Sequence, residues 1–329
     1  MPLFDNHGRP INYLRLAVTD RCNLRCFYCM PAEGISYVPK MELLTYEEME
    51  RLVRILAEMG ISKVRITGGE PFVRRDLVSF LHKLVGTPGI DEVHITTNGV
   101  LTTSYVAELK AMGIASVNLS LDTFDRQRFQ EITRRDEFDR VLDCFHALLD
   151  HNIPTKINAV VMEGKNTQDI IPLTELTRQY PVSVRFIEEM PFNGKGSHYP
   201  VLVWTHRKIH DVLKQHYPAI EKISDSPTST SYNYQIPGHQ GTVGIIAAFS
   251  RTFCGTCNRI RLTAQGTLKT CLYDQGVMNI KKILREGASD DLIRRAFAQA
   301  FRNRAKDGFK AEQQYRQQSV SESMSTIGG

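Results

Sequence analysis

Apolar and polar positions change their period several times along this chain. Over 12–19 they alternate, Leu14, Leu16 and Val18 against Tyr13, Arg15 and Ala17, which is the two-residue period of a strand. From Thr45 the period lengthens. Met49, Leu52, Val53, Leu56 and Met59 recur at helical spacing, Thr45 and Glu48 form a capping-box pattern, and Gly60 ends the run. The same reading predicts strands over 63–67, 92–97, 116–121, 155–162 and 183–188, with helices over 77–85, 105–112, 138–149 and 169–179 between them. About six strand–helix steps of this kind build a parallel sheet, and right-handed crossovers curl it into all or part of a barrel. Past Met190 the rhythm breaks at Pro191, Asn193, Gly194, Gly196 and Pro200. Beyond lie a predicted helix over 204–216, a Ser/Thr/Pro-rich turn region over 224–231, a strand over 244–249 and a late helix near 291–304. The polar end of the chain, closing on Ile327-Gly328-Gly329, reads as mobile. The expected organisation is therefore 1–190, 191–306 and a flexible tail over 307–329 ending in Gly-Gly.

Splitting each strand by parity separates two faces. Arg15 opposes Leu14 and Leu16, Arg65 and Thr67 oppose Val64 and Ile66, and His94 and Thr96 oppose Val93 and Ile95. Likewise Asn118 and Ser120 oppose Val117 and Leu119, Lys156 and Asn158 oppose Ile157 and Ala159, and Arg185 opposes Val184 and Phe186. With the apolar parity packed beneath the helices, Arg15, Arg65, Lys156 and Arg185 point into one lumen. Four unpaired buried cations would be costly, so a phosphorylated or carboxylated ligand is the natural counter-ion. The alternatives are strand ends in solvent, or pairing with Asp122, Glu188 or Glu189.

Composition narrows the class. The 329 residues suffice for one large domain or two ordinary ones, and 42% hydrophobic with 23% charged residues is ordinary for a soluble globular chain. The chain has no eighteen-residue apolar run, and its first residues lack a basic stretch followed by an apolar one, so neither a membrane span nor a secretory signal is expected. A cytoplasmic location is the default. A net charge of +5 is too mild to indicate a nucleic-acid binder. Of seven cysteines, six fall in two compact triplets, which in a reducing compartment points to metal rather than disulfides.

The first triplet, Cys22-x3-Cys26-x2-Cys29, follows the first strand, at the end where active sites of such barrels lie. If these three thiolates hold a [4Fe–4S] cluster, one iron stays open for a ligand the protein does not supply. A zinc site completed by a distant histidine is the alternative. The second triplet, Cys254-x2-Cys257-x13-Cys271, has zinc as a stronger rival, because a Cys-x2-Cys pair with a later cysteine is common in zinc ribbons. Arg259 and Arg261 lie between its members on one face, suited to forked contacts with phosphate. Cys144 sits within an apolar helix and reads as packing.

These residues resemble a known family. Cys22-Asn23-Leu24-Arg25-Cys26-Phe27-Tyr28-Cys29 is similar to the radical S-adenosylmethionine signature, and Thr67-Gly68-Gly69-Glu70-Pro71 to its glycine motif. Phe253-Cys254-Gly255-Thr256-Cys257-Asn258-Arg259-Ile260-Arg261-Leu262, Cys271-Leu272 and the terminal Ile327-Gly328-Gly329 resemble the GTP 3',8-cyclases of molybdenum cofactor biosynthesis. The resemblance implies an α/β fold, a partial (β/α)6 TIM-like barrel with a C-terminal cluster-binding extension. It implies two [4Fe–4S] clusters, one on Cys22, Cys26 and Cys29 and one on Cys254, Cys257 and Cys271. S-adenosylmethionine would meet Tyr28, Gly69, Ser120 and Met190. GTP would meet Arg15, Arg65, Thr96, Lys156, Arg259 and Arg261, the last two counted as catalytic with the first triplet. The implied reaction converts GTP to 3',8-cyclo-7,8-dihydro-GTP, and the Gly-Gly tail would enter the site. Implied partners are an external electron donor, a downstream cyclic pyranopterin monophosphate synthase and a second copy in a homodimer, with no nucleic acid and no membrane. A peptide-acting radical maturase and a zinc-dependent binding module are the competing readings.

Overall fold

The computed structural model describes residues 3–192, 201–314 and 322–328. Six parallel strands, β1 (Tyr13–Ala17), β2 (Lys63–Thr67), β3 (Glu92–Thr97), β4 (Ser116–Ser120), β5 (Thr155–Val161) and β6 (Ser183–Glu188), alternate with α1 (Tyr46–Glu58), α2 (Leu77–Val85), α3 (Val106–Ala111), α4 (Arg126–Thr133), α5 (Phe138–Asp150) and α6 (Ile170–Gln179). The capping box of α1 is formed: Glu48 N–H donates to Thr45 Oγ1 at 3.2 Å, and Thr45 N–H donates to Glu48 Oε2 at 2.8 Å. The helix buries Met49, Leu52, Val53, Ile55 and Leu56 in one continuous core with Leu14, Leu16, Val64 and Ile66 from the sheet. The apolar strand parity thus packs under the helices, as the alternation requires.

The remaining chain does not form a separate layer. After α7 (His206–His216) come β7 (Glu221–Lys222), β8 (Ser231–Gln235), β9 (Thr242–Ile246), β10 (Arg259–Leu262), β11 (Thr267–Lys269) and β12 (Met278–Asn279). They extend the same sheet on both sides, in the order β12-β11-β10-β1-β2-β3-β4-β5-β6-β9-β8-β7. β10 runs parallel on β1 and β9 parallel on β6, while the outer pairs are antiparallel. The parallel run therefore has eight strands where the sequence reading expected six, and it continues across the boundary placed near residue 190. The sheet has two ends, so the fold is a partial barrel of the α/β class with a C-terminal extension. Among the described residues no helix is long and apolar enough to cross a membrane.

The chain closes with α8 (Ile280–Arg285), α9 (Asp290–Arg302), α10 (Gly308–Gln313) and α11 (Met324–Ile327). The expectation of a flexible tail over 307–329 fails for the described part. Ala311 and Ile327 are buried with Phe192 and Tyr273 in a small second core. Arg251 lies 3.5 Å from the Tyr273 ring centroid and 4.3 Å from that of Phe309, and its ion pair with Glu312 at 2.8 Å fastens α10. Lys269, fully buried, pairs with Glu322 just before α11. Polarity misled here because two apolar side chains of this segment, Ala311 and Ile327, turn inward even though Phe309 stays half exposed. Gly329, and the Asn193, Gly194, Gly196 and Pro200 of the linker-like stretch, lie outside the described residues.

Candidate active site

One cavity of about 460 Å³ opens along the inner face of the sheet. Every site residue expected from the sequence lines it: both cysteine triplets, Tyr28, Gly69, Ser120 and Met190, and Arg15, Arg65, Thr96, Lys156, Arg259 and Arg261. All seven cysteines are free thiols, and Cys144 is buried away from the cavity in α5.

The first triplet occupies the loop after β1. This loop is pinned from α4, where the Thr133 and Ile132 carbonyls accept from Arg25 N–H and Phe27 N–H, and by Arg134, which donates to the Arg25 and Met30 carbonyls. Leu24 N–H lies 3.4 Å and Asn98 Nδ2 3.7 Å from Cys22 Sγ. The glycine motif runs alongside the approach to Cys22, with Gly69 N–H donating to Thr19 O and Glu70 N–H to Arg21 O. A Cβ on Gly69 would sit 2.3 Å from Arg21 O, so only glycine allows this approach. Glu70, fully buried, accepts from Phe72 N–H, Asn98 N–H and Thr97 Oγ1, yet burial outweighs these bonds and lifts its carboxyl to about 7. Tyr28 donates to Asp122 Oδ2 at 2.8 Å, and burial raises Asp122 to about 6. Burial raises all three thiols, with Glu70 adding to the rise that takes Cys22 to about 12 and Asp122 to that of Cys26.

The opposite parity of the strands builds a cationic wall. Register sets Arg261, Arg15 and Arg65 side by side on β10, β1 and β2. It also pairs Asn118 with Lys156 and Asn158 with Arg185. Like charges abreast on neighbouring strands are unfavourable in themselves. Arg65 reaches Tyr13 Oη and the Ile95 carbonyl, but Arg15, Arg65, Lys156 and Arg185 make no ion pair among the described residues. Pairing with Asp122 or Glu188 is excluded by the partners those carboxylates take instead: Tyr28 and Val160 N–H for the first, His206 and Ser250 for the second. Burial lowers Lys156 to about 8, with Arg185 and Arg65 adding to it, and lowers Arg185 and Arg261 to about 10. Along this wall Arg15 Nε, Thr96 Oγ1, Asn118 Oδ1, Asn158 Oδ1 and Arg185 Nε are buried without a hydrogen-bond partner among the described residues. A row of unsatisfied polar atoms beside unpaired cations is the signature of a wall shaped for a polar, anionic ligand. His94, of the same parity, does not reach the cavity and instead bonds Ser116 and Glu92.

The second triplet stands at the other side of this wall. Cys254 and Cys257 lie in the turn entering β10, and Cys271 follows β11. Asp274 shapes the Cys271 loop, its Oδ2 accepting from Thr270 N–H and Cys271 N–H and its Oδ1 from Gly276 N–H, so both oxygens are already engaged. Burial raises Cys254, and takes Cys271 to about 12. Cys257 goes the other way: burial pushes it up, but the guanidiniums of Arg304 and Arg259 outweigh that and lower it. Among the described residues no three His, Cys, Asp or Glu side chains are gathered tightly enough for a single metal ion. Met324 and Ser325 of the tail line the cavity, and beyond them Arg261 Nη1 donates to Gly328 O at 2.6 Å, while a Cβ on Gly328 would sit 2.6 Å from Thr67 Oγ1, so the residue meeting these two lining side chains must be glycine.

The sequence reading omitted several lining residues from its site. Lys63 shares the parity of Arg65, and Asn118, Asn158 and Arg185 were visible in the strand alternation. Ser229, Thr230 and Ser231, read only as turn, and Arg251, at φ +55°, carried no such signal.

Residues 16–177 match the Radical SAM superfamily, and residues 182–310 match Molybdenum Cofactor Synthesis C. "GTP 3',8-cyclase" of Heliobacterium modesticaldum is 42% identical over 303 residues, covering 91% of this chain and 92% of that protein. "Molybdenum cofactor biosynthesis protein 1" of Drosophila melanogaster is 42% identical over 285 residues, covering 87% of this chain and 50% of that protein. The chain thus spans about half the length of such animal relatives. In fold it is similar to Streptococcus suis SuiB bound to S-adenosylmethionine, with TM-score 0.63, 17% identity, and coverage of 88% of this chain and 69% of that one.

Proposed function

The chain belongs to the GTP 3',8-cyclase family within the radical S-adenosylmethionine superfamily, and from that premise we propose that it converts GTP to 3',8-cyclo-7,8-dihydro-GTP, the first step of molybdenum cofactor biosynthesis. Superfamily membership implies a [4Fe–4S] cluster and S-adenosylmethionine. The residues suit both: three free thiols share one pinned loop, and a glycine-lined edge and a buried carboxylate stand beside them. When bound, the pair supplies a 5'-deoxyadenosyl radical able to take the ribose 3' hydrogen of GTP.

The observation that carries the substrate assignment is the row of unpaired cations and unsatisfied polar atoms on the inner wall. Arg15, Arg65, Lys156 and Arg185 hold the triphosphate, and Thr96 offers a hydroxyl on the same wall. Arg259 and Arg261 orient the nucleotide toward the second triplet. Tyr28, Gly69, Ser120 and Met190 line the part of the wall assigned to S-adenosylmethionine, where Asp122 meets its positive charge. Cys254, Cys257 and Cys271 hold a second [4Fe–4S] cluster with one iron left for the purine, and Gly328 closes the cavity against water. An external donor provides the two electrons that each turnover consumes, one to cleave S-adenosylmethionine and one, with a proton, to complete the cyclised nucleotide, and the product passes to a cyclic pyranopterin monophosphate synthase. A homodimer is the proposed assembly, to be checked by light scattering.

The test is to reconstitute the chain anaerobically and mix it with GTP, S-adenosylmethionine and dithionite. Mass spectrometry should find an isomer of GTP formed one-for-one with 5'-deoxyadenosine. 5'-Deoxyadenosine without any change in GTP, or formed only when peptide is added, would refute the substrate assignment.

A further inference from the structure

Arg304, just past α9, lies outside the residues assigned above to clusters or ligands, yet it is among the most engaged side chains of the fold. It is 4% exposed. A guanidinium has five N–H donors, and here each has an acceptor. Nε donates to Thr270 O at 2.9 Å. Nη1 donates to Cys257 O at 2.8 Å and to Asp5 Oδ2 at 3.3 Å. Nη2 donates to Arg259 O at 2.8 Å and to Cys257 Sγ at 3.1 Å. One planar group therefore touches a triplet sulfur, that cysteine's carbonyl, the residue before Cys271 and the first residue of β10.

Asp5 extends the arrangement. Its carboxylate, with no side-chain exposure, also takes Arg9 Nε at 2.6 Å. Arg9 in turn donates to Cys254 O at 2.9 Å and to the Ala305 and Lys306 carbonyls beside Arg304. Two buried arginines clasped by one buried aspartate thus reach the backbone at or next to all three cysteines. Around the first triplet Arg25 and Arg134 also hold nearby carbonyls, but among the described residues no guanidinium bonds a sulfur there: Leu24 N–H, the Asn98 amide and the Ser323 hydroxyl, all neutral, lie 3.4–3.7 Å from Cys22 or Cys29 Sγ.

We propose that Arg304, held by Asp5, is the positioning residue of the second triplet: its charged hydrogen bond to Cys257 Sγ and its grip on the adjoining carbonyls set that cluster's geometry and make it easier to reduce. A donor to a ligating sulfur stabilises the electron-rich reduced state, and outer hydrogen bonds orient the ligands. This rests on the reading that Cys254, Cys257 and Cys271 hold an iron–sulfur cluster.

The experiment compares wild type, Arg304→Lys and Arg304→Met after anaerobic reconstitution, by iron content and by redox titration of each cluster's electron paramagnetic resonance signal. Wild type should hold about eight irons per chain, as two [4Fe–4S] clusters require. Arg304→Lys keeps a cation but cannot reproduce the fork, and it should shift only the second cluster's potential to more negative values. Arg304→Met should shift it further, or lose about half the iron from that site alone while the first cluster's signal persists. A wild type with only about four irons overturns the cluster reading, and this inference with it. About eight irons with both potentials unmoved in Arg304→Lys overturns the inference alone, even where Arg304→Met does not fold.

Discussion

The two cysteine triplets line one cavity but keep different electrostatic company. Around the first the buried charges are carboxylates, Glu70 and Asp122, and all three thiols are held up. Around the second, guanidiniums join the carboxylates of Asp5 and Asp274, and Cys257, which a guanidinium bonds directly, is alone of the six held down. The contrast teaches how one cavity can keep two charged ligands apart. On the proposed function, a sulfonium with an amino group suits the carboxylate end and a triphosphate the guanidinium wall, and each end disfavours the other's ligand.

The largest effects should separate the triplets. Cys26→Ala should abolish formation of 5'-deoxyadenosine, whereas Cys271→Ala should keep that formation and lose the cyclised nucleotide; equal loss in both would break the comparison. Next, Arg261→Ala should weaken GTP binding about ten- to hundredfold, the size of a charge-assisted hydrogen bond of about 1.5–3 kcal/mol, and leave S-adenosylmethionine affinity unchanged in calorimetry. Smaller effects should appear as two opposed pH flanks. Lys156 titrates at about 8, so it is charged below that pH, and GTP affinity should fall a few-fold as pH climbs through 8. Arg in its place should flatten that flank. Asp122 titrates at about 6 and is ionised above it, so S-adenosylmethionine affinity should fall a few-fold as pH drops through 6, and Asp122→Asn should remove the dependence. Smallest of all, Cys144→Ala should cost about 1 kcal/mol of stability in thermal unfolding and leave the iron content intact.

Much of this arrangement was legible from local pattern. Two-residue alternation told which side chains of β1 to β6 face inward, because a strand between helices and a polar lumen must be apolar on one face only. Cysteine spacing found both triplets. What stayed hidden was short or long-range. β7 and β12 have two residues each, too few to show a period, and Arg259-Ile260-Arg261-Leu262 was read for its arginines rather than as the strand that pairs with β1. Arg304 and Asp5 stand 299 positions apart, so no window along the chain joins them. The tail was misjudged because composition reports an average, while Ile327 and Gly328 depend on two particular side-chain environments.

The pairing of β10 on β1 also sets when this part of the sheet can be completed. Residues 13–17 emerge early and gain β2 as a neighbour, but their other flank gains its partner only once residues 259–262 have been synthesised. Through most of translation the strand leading to the first cysteine loop is a bare hydrogen-bonding edge, open to mispairing with another nascent chain. The wall behind the first cysteine loop is therefore complete only once residues 259–262 are in place.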